Sequence, residues 1–78
     1  MTTRHLRWQH EGSIMSKLSR RQAQILTLLV RGQSQKNAAR QLGISYSTVR
    51  SHLRAARSKT STQSSFELAW KARKEIDD

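Results

Sequence analysis

The chain has 78 residues, no cysteine, no proline, and 15 Lys and Arg against 5 Asp and Glu, for a net charge of +10. That length sustains one small domain. The missing cysteines exclude disulfides and thiolate metal sites, no apolar run approaches the roughly 20 residues of a membrane span, and the N-terminus lacks the apolar segment of a secretory signal, so a soluble cytoplasmic protein is expected.

The charge is unevenly spread: residues 18–62 hold nine Lys and Arg and no acid at all. Self-repulsion of this kind destabilises a compact chain unless a polyanion screens it, and nucleic acid is the polyanion such a pattern points to.

In chain order, residues 1–17 (MTTRHLRWQHEGSIMSK) show no clean periodicity and read as an arm, flexible or partly helical. Residues 18–78 read as the folded domain, all-α with four helices. The first helix opens at Ser19, where S-R-R-Q forms a capping box in which Ser19 and Gln22 exchange hydrogen bonds. Leu18 precedes it as a staple, Ile25, Leu26, Leu29 and Val30 follow at helical spacing, and Gly32 is a natural stop. The second helix opens at Ser34 with Ala38, Ala39 and Leu42 on its buried side, and Gly43 ends it. With about eight residues it depends on packing.

The third helix opens at Ser45 and is expected to run to about Ser58. At about 100° per residue Val49, Leu53 and Ala56 share one side, while Ser47, Arg50, Ser51, Arg54 and Ser58 share the other. Tyr46, His52 and Arg57 fall on the flanks. Residues 59–64 (KTSTQS) read as a polar turn. A fourth helix from Ser64 or Ser65 to about Glu75 aligns Phe66 with Trp70, and Leu68 with Ala72 and Ile76 on a neighbouring stripe.

Leu42-Gly43-Ile44-Ser45 joins two short helices in the manner of a helix-turn-helix. Ser45 caps the following helix, whose free N–H groups attract anions, and Ser34 stands in the same place one helix earlier. Both serines are helix caps first and phosphate contacts second. Ser47 and Ser51 are small enough to let a backbone approach base edges. Arg50 and Arg54 have the fork that bonds guanine bidentately, worth about 1–3 kcal/mol of base discrimination each. Arg57 is a candidate for the phosphate backbone.

The segments LSRRQAQIL, GQSQKNAARQLGISYSTVRSH and KTST together resemble the LuxR/GerE-type DNA-binding domain, whose pattern is L-T-x-R-E-x-E-V-L, then G-x-S-x-K-E-I-A-x-x-L-x-I-S-x-x-T-V-K-x-H, then Lys-Leu-Gly-Val before a fourth helix. Leu18, Arg21, Leu26, Gly32, Ser34, Lys36, Ala39, Leu42, Ile44, Ser45, Thr48, Val49, His52 and Lys59 match it. The resemblance covers about residues 16–76. It implies that Arg50, Ser51 and Arg54 meet bases with Ser47 beside them, and that Thr48, His52 and Lys59 meet phosphates. It also implies double-stranded DNA as partner and a bacterial or phage-encoded, nucleoid-associated regulator.

The departures are specific. Gln22, Gln24 and Asn37 stand where that family has glutamates, which removes negative charge near DNA. Ala38 replaces a larger aliphatic, so the space between the first two helices needs another filler, for which Tyr46 is the candidate. Thr60, Ser61 and Thr62 replace Leu-Gly-Val at the turn into the fourth helix.

Phe66 and Trp70, with Arg73 beside them, either close the domain's own core or meet a second copy. In the resembled family the fourth helix is often the dimer contact, so a homodimer on a pseudo-palindromic operator is expected. The seventeen residues before the domain are too few for a receiver or ligand-sensing domain, so a stand-alone transcription regulator is expected. Two rival readings are a small partner that pairs with a larger LuxR-type regulator and spoils its DNA binding, and a module like sigma-factor region 4 working through RNA polymerase. An enzyme is excluded for want of paired carboxylates, cysteine, or a Ser–His–Asp set with a usable acid. No cofactor is implied. His5, His10 and Glu11 make a poor metal site without a fourth ligand. Arg4, Arg7 and Trp8 are either a minor-groove arm or simply disordered.

Overall fold

The computed structural model describes residues 13–77. A 3₁₀ turn (Met15–Lys17) is followed by α1 (Arg20–Val30), α2 (Gln35–Leu42), α3 (Tyr46–Thr60) and α4 (Ser65–Asp77). The fold is all-helical, with four α-helices and no strand among the described residues. No helix there is long and apolar enough to cross a membrane.

Serines start all four helices. Ser19 Oγ accepts from Gln22 N at 3.1 Å and Gln22 Oε1 accepts from Ser19 N at 3.0 Å, the reciprocal box expected from S-R-R-Q. Ser34 accepts from Asn37 N, Ser45 from Thr48 N and Ser64 from Glu67 N, each at 3.0 Å. Each such cap is worth about 1 kcal/mol, which matters for helices this short. At α4 the Glu67 carboxylate also accepts from Gln63 N at 2.7 Å. That bond to the backbone, more than the Lys71 ammonium nearby, holds its pKa below the ordinary value of 4.5 against a smaller opposing push from desolvation.

The helix ends share one mechanism. Gly32 (φ 94°) and Gly43 (φ 70°) turn left-handed. Around them Gln33 N bonds Leu28 O, and Ile44 N bonds Ala39 O, both at 3.0 Å. A side chain at either glycine would meet nothing within 4 Å, so conformation rather than space calls for glycine. The third helix ends the same way but with Ser61 in the left-handed position (φ 57°), and Thr62 N bonds Arg57 O at 3.0 Å. A serine there costs about 1–2 kcal/mol that glycine avoids.

This junction differs from the expected turn at residues 59–64. Lys59 and Thr60 remain helical, the Thr60 hydroxyl donating to Ala56 O at 2.8 Å, and Thr62 is buried beside it, hydroxyl to hydroxyl at 3.0 Å. The two threonines thus turn inward at positions where Leu and Val of the resembled pattern would supply apolar contact. The fourth helix likewise runs two residues past the expected end, to Asp77.

The core is Ile25 and Leu26 from α1, Ala39 from α2, Val49, Leu53 and Ala56 from α3, and Leu68 and Ala72 from α4, closed by Met15 at 5% exposure. α1 packs on the other three helices, and α2 lies chiefly on α3. Burying each large aliphatic contributes about 1.5–3 kcal/mol. Tyr46 does not fill the space beside the buried Ala38: it is 41% exposed, at the outer end of α3, where its ring lies near the Lys36 and Arg50 cations.

The segment read as an arm enters the described structure at Ser13 and is packed from there. The Glu75 carboxylate of α4 accepts from Ser13 Oγ at 2.6 Å and from the backbone N–H groups of Ile14 and Met15. These bonds staple the 3₁₀ turn across the C-terminal end of α4 and seat Met15 in the core.

Candidate nucleic-acid interface

Because Val49, Leu53 and Ala56 are fixed in the core, the opposite side of α3 must face outward, and Ser47, Arg50, Ser51, Arg54 and Ser58 are all exposed. Ser47, Arg50, Ser51 and Arg54 line a single shallow groove with Arg57, Tyr46, Leu53, Gln35 and Ser65. Gln35, Tyr46 and Ser65 are the first residues of α2, α3 and α4. Three helix N-termini therefore border one surface, each carrying roughly half a positive charge from its aligned peptide dipoles. Three arginine side chains add to the same field. The geometry suits an extended polyanion.

Among the described residues no acid lies on α1, α2 or α3, and the one acid near a bordering helix start is Glu67, in the first turn of α4. The acids among the described residues, Glu67, Glu75 and Asp77, all lie on α4. Glu75 holds the 3₁₀ turn, Glu67 takes Gln63 N and lies 3.4 Å from Lys71 Nζ, and Asp77 lies 3.2 Å from Arg73 Nε.

The residues expected to meet phosphate divide into two flanks. Arg57 lies beside the groove with its guanidinium donating to Ser65 Oγ at 2.9 Å, which pins it across the α3–α4 junction. Thr48, His52 and Lys59 lie on the other side of α3, where Thr48 and His52 are half-buried. The Thr48 and Ser45 hydroxyls are hydrogen-bonded to each other at 2.7 Å, so the cap and the hydroxyl beside it form one polar cluster that also includes Ser47 Oγ, 3.1 Å from Ser45 Oγ. Lys59 reaches back to α1, its ammonium 3.1 Å from Gln22 Oε1. Ser34 is exposed at the start of α2.

Two residues of this surface went unassigned at the level of sequence, and a third, Tyr46, was offered as a filler beside Ala38. Gln35 and Ser65 come to the groove only through the tertiary arrangement of α2 and α4. Tyr46 had a local signal, its i,i+4 spacing to Arg50. Its ring lies 5.8 Å from the Arg50 guanidinium and 5.7 Å from Lys36 Nζ, so the aromatic face orients two cations at the mouth of the groove.

On α4, Leu68 and Ala72 are fully buried, while Phe66 is 82% and Trp70 54% exposed. The first of the two alternatives for these aromatics is thereby removed, since they do not close the domain's own core. Lys74 Nζ sits 4.7 Å from the Trp70 ring, and Arg73 pairs with Asp77. The candidate metal residues His5, His10 and Glu11, and the arm residues Arg4, Arg7 and Trp8, lie outside the described residues.

Two short helices set by a glycine turn, with a cationic outer helix standing clear of a shared core, define a helix-turn-helix domain. The family model of the bacterial regulatory proteins of the luxR family matches residues 10–72, and the chain belongs to that family. Its members are DNA-binding transcription regulators. No curated protein and no solved structure matches the chain.

Proposed function

We propose that this chain is a sequence-specific regulator of transcription that lays α3 in the major groove of duplex DNA, on the nucleoid in the bacterial cytoplasm. The observation that carries the reading is the acid-free outer face of α3, on which Arg50 and Arg54 stand among Ser47 and Ser51 at the meeting of three helix N-termini. The serines admit the backbone to base edges, and the arginines read them. Thr48, His52 and Lys59 on one flank, and Arg57 with the α2 and α4 N-termini on the other, reach the two phosphate walls that border a groove.

The exposed Phe66 and Trp70 support a homodimer through α4, with Arg73 at its edge. A two-fold axis there sets the two recognition helices about one DNA turn apart, ~34 Å, on a pseudo-palindrome. The same aromatics support a second reading, in which α4 pairs with another luxR-family regulator and withdraws it from DNA.

The double variant Arg50→Ala, Arg54→Ala separates the two. The regulator reading expects duplex binding in vitro and promoter control in cells to be lost together. Promoter control that survives without DNA binding establishes the pairing reading instead.

A further inference from the structure

Gln22 serves two partners with one oxygen. Its Oε1 accepts from Ser19 N at 3.0 Å, closing the α1 capping box, and from Lys59 Nζ at 3.1 Å, across 37 residues of chain. Two donors on one atom identify it as the carbonyl oxygen rather than the amide nitrogen, and they fill both of its lone pairs. The side chain is 6% exposed, so it cannot swing away.

We propose that Gln22 is a charge-neutral tether that orients the Lys59 ammonium toward a DNA phosphate and thereby sets how tightly and how salt-dependently this chain grips DNA. The inference deepens the duplex-binding reading and rests on it. An ammonium has three N–H donors. One is spent on Gln22, and the side chain is otherwise exposed at the edge of the Thr48–His52 flank. The long lysine stem loses much of its rotamer freedom on being held, so part of the ordering cost of a phosphate contact is met before DNA arrives.

The tether leaves the charge intact. No carboxylate among the described residues lies within ion-pair reach of Lys59, since all three belong to α4 and have other partners. A glutamate at position 22, as in the resembled pattern, would still accept from Ser19 N and would cap α1 at least as well, because a carboxylate suits a helix N-terminus. It would also bind Lys59 as an ion pair. The ammonium would then have to leave that pair to neutralise a phosphate, and one counterion fewer would be released from DNA. Position 22 thus trades some cap strength for a free cation at the interface.

The experiment uses the full chain as wild type, Gln22→Glu, Lys59→Ala and the double variant, with Gln24→Glu as a charge-matched control on the exposed side of α1. Each is titrated against one selected duplex across a range of salt, with thermal unfolding alongside. The inference expects Gln22→Glu to unfold no earlier than wild type, to raise Kd about five- to tenfold near ~0.1 M salt, and to flatten the slope of log K against log salt by about 0.9. Lys59→Ala should do the same to binding, Gln22→Glu should add less than about twofold in the Lys59→Ala background, and Gln24→Glu should move Kd by less than about twofold. An unchanged Kd for Gln22→Glu overturns the tether. So does an effect of equal size in the Lys59→Ala background or in Gln24→Glu, which would make it general repulsion. A wild-type chain that binds no duplex overturns the DNA-binding reading itself, and the tether with it.

Discussion

α3 and α4 are built alike on their inner sides and oppositely on their outer ones. Both sink an apolar stripe into the same core, Val49, Leu53 and Ala56 on one helix and Leu68 and Ala72 on the other. Outward, α3 shows serines and arginines with no acid, its one exposed aromatic, Tyr46, lying beside the Lys36 and Arg50 cations, whereas α4 shows Phe66 and Trp70 among charges that are largely paired with one another. An uncompensated cationic face keeps its field for a polyanion. A compensated face with two exposed aromatics loses little charge energy when it is covered by another protein surface. The inner stripes decide the fold, and the outer faces differ in charge and in exposed aromatic surface.

The largest effect is expected where the two helices share their core. Leu53→Ala removes a side chain 1% exposed at the centre of the core. It should cost about 2–5 kcal/mol, enough to unfold much of so small a domain. Chemical denaturation followed by circular dichroism checks it, and DNA binding and self-association should fail together. Trp70→Ala should separate them. A buried tryptophan at the middle of an interface is commonly worth about 2 kcal/mol or more. The variant should stay folded, occupy a palindromic duplex as one copy instead of two by analytical ultracentrifugation, and keep its half-site preference. An unchanged dimer would move the interface off α4.

Ser61→Gly leaves both outer faces untouched and relieves the left-handed serine between them. A gain of about 1 kcal/mol is expected, raising Tm by roughly 4–8 °C. No gain would mean that the inward hydrogen bonds of Thr60 and Thr62 already hold the turn. The smallest effect concerns pH. Glu67 has a depressed pKa in the folded chain, so its stabilising contribution is complete above the ordinary value of 4.5 and is lost as pH falls through the folded value. The Tm difference between wild type and Glu67→Gln should therefore shrink on acidification from pH 7 toward pH 3. A difference that stays constant would contradict the assignment of that bond to the carboxylate.

Much of the scaffold could be read from residues a few positions apart. Caps at Ser19, Ser34 and Ser45, stops at Gly32 and Gly43, and the stripes of α1 and α3 all depend on contacts three or four residues along the chain, where side-chain type and helical period suffice. The four groove residues of α3 were legible for the same reason: once one side of a helix is core, the other is outside. What depends on distant residues was not legible. Glu75 binding Ser13, Gln22 holding Lys59 and the joint arrival of Gln35, Tyr46 and Ser65 at one groove need the packed fold. Tyr46 was offered as an interior filler on its size, whereas its ring lies beside Lys36 of α2 and Arg50, an arrangement of two helices that size does not show. Thr60 and Thr62 were read as polar loop because composition does not show that two hydroxyls can satisfy each other under a helix end.

The claim that α3 reads bases is tested most directly by selecting bound duplexes from random sequence with wild type, Arg50→Ala and Lys59→Ala in parallel. The account predicts that wild type enriches a pseudo-palindrome, that Arg50→Ala flattens a defined position in each half-site at a cost of about 1–3 kcal/mol, and that Lys59→Ala weakens all sequences evenly. No enriched site for the wild type, or the same uniform loss for both variants, would contradict it.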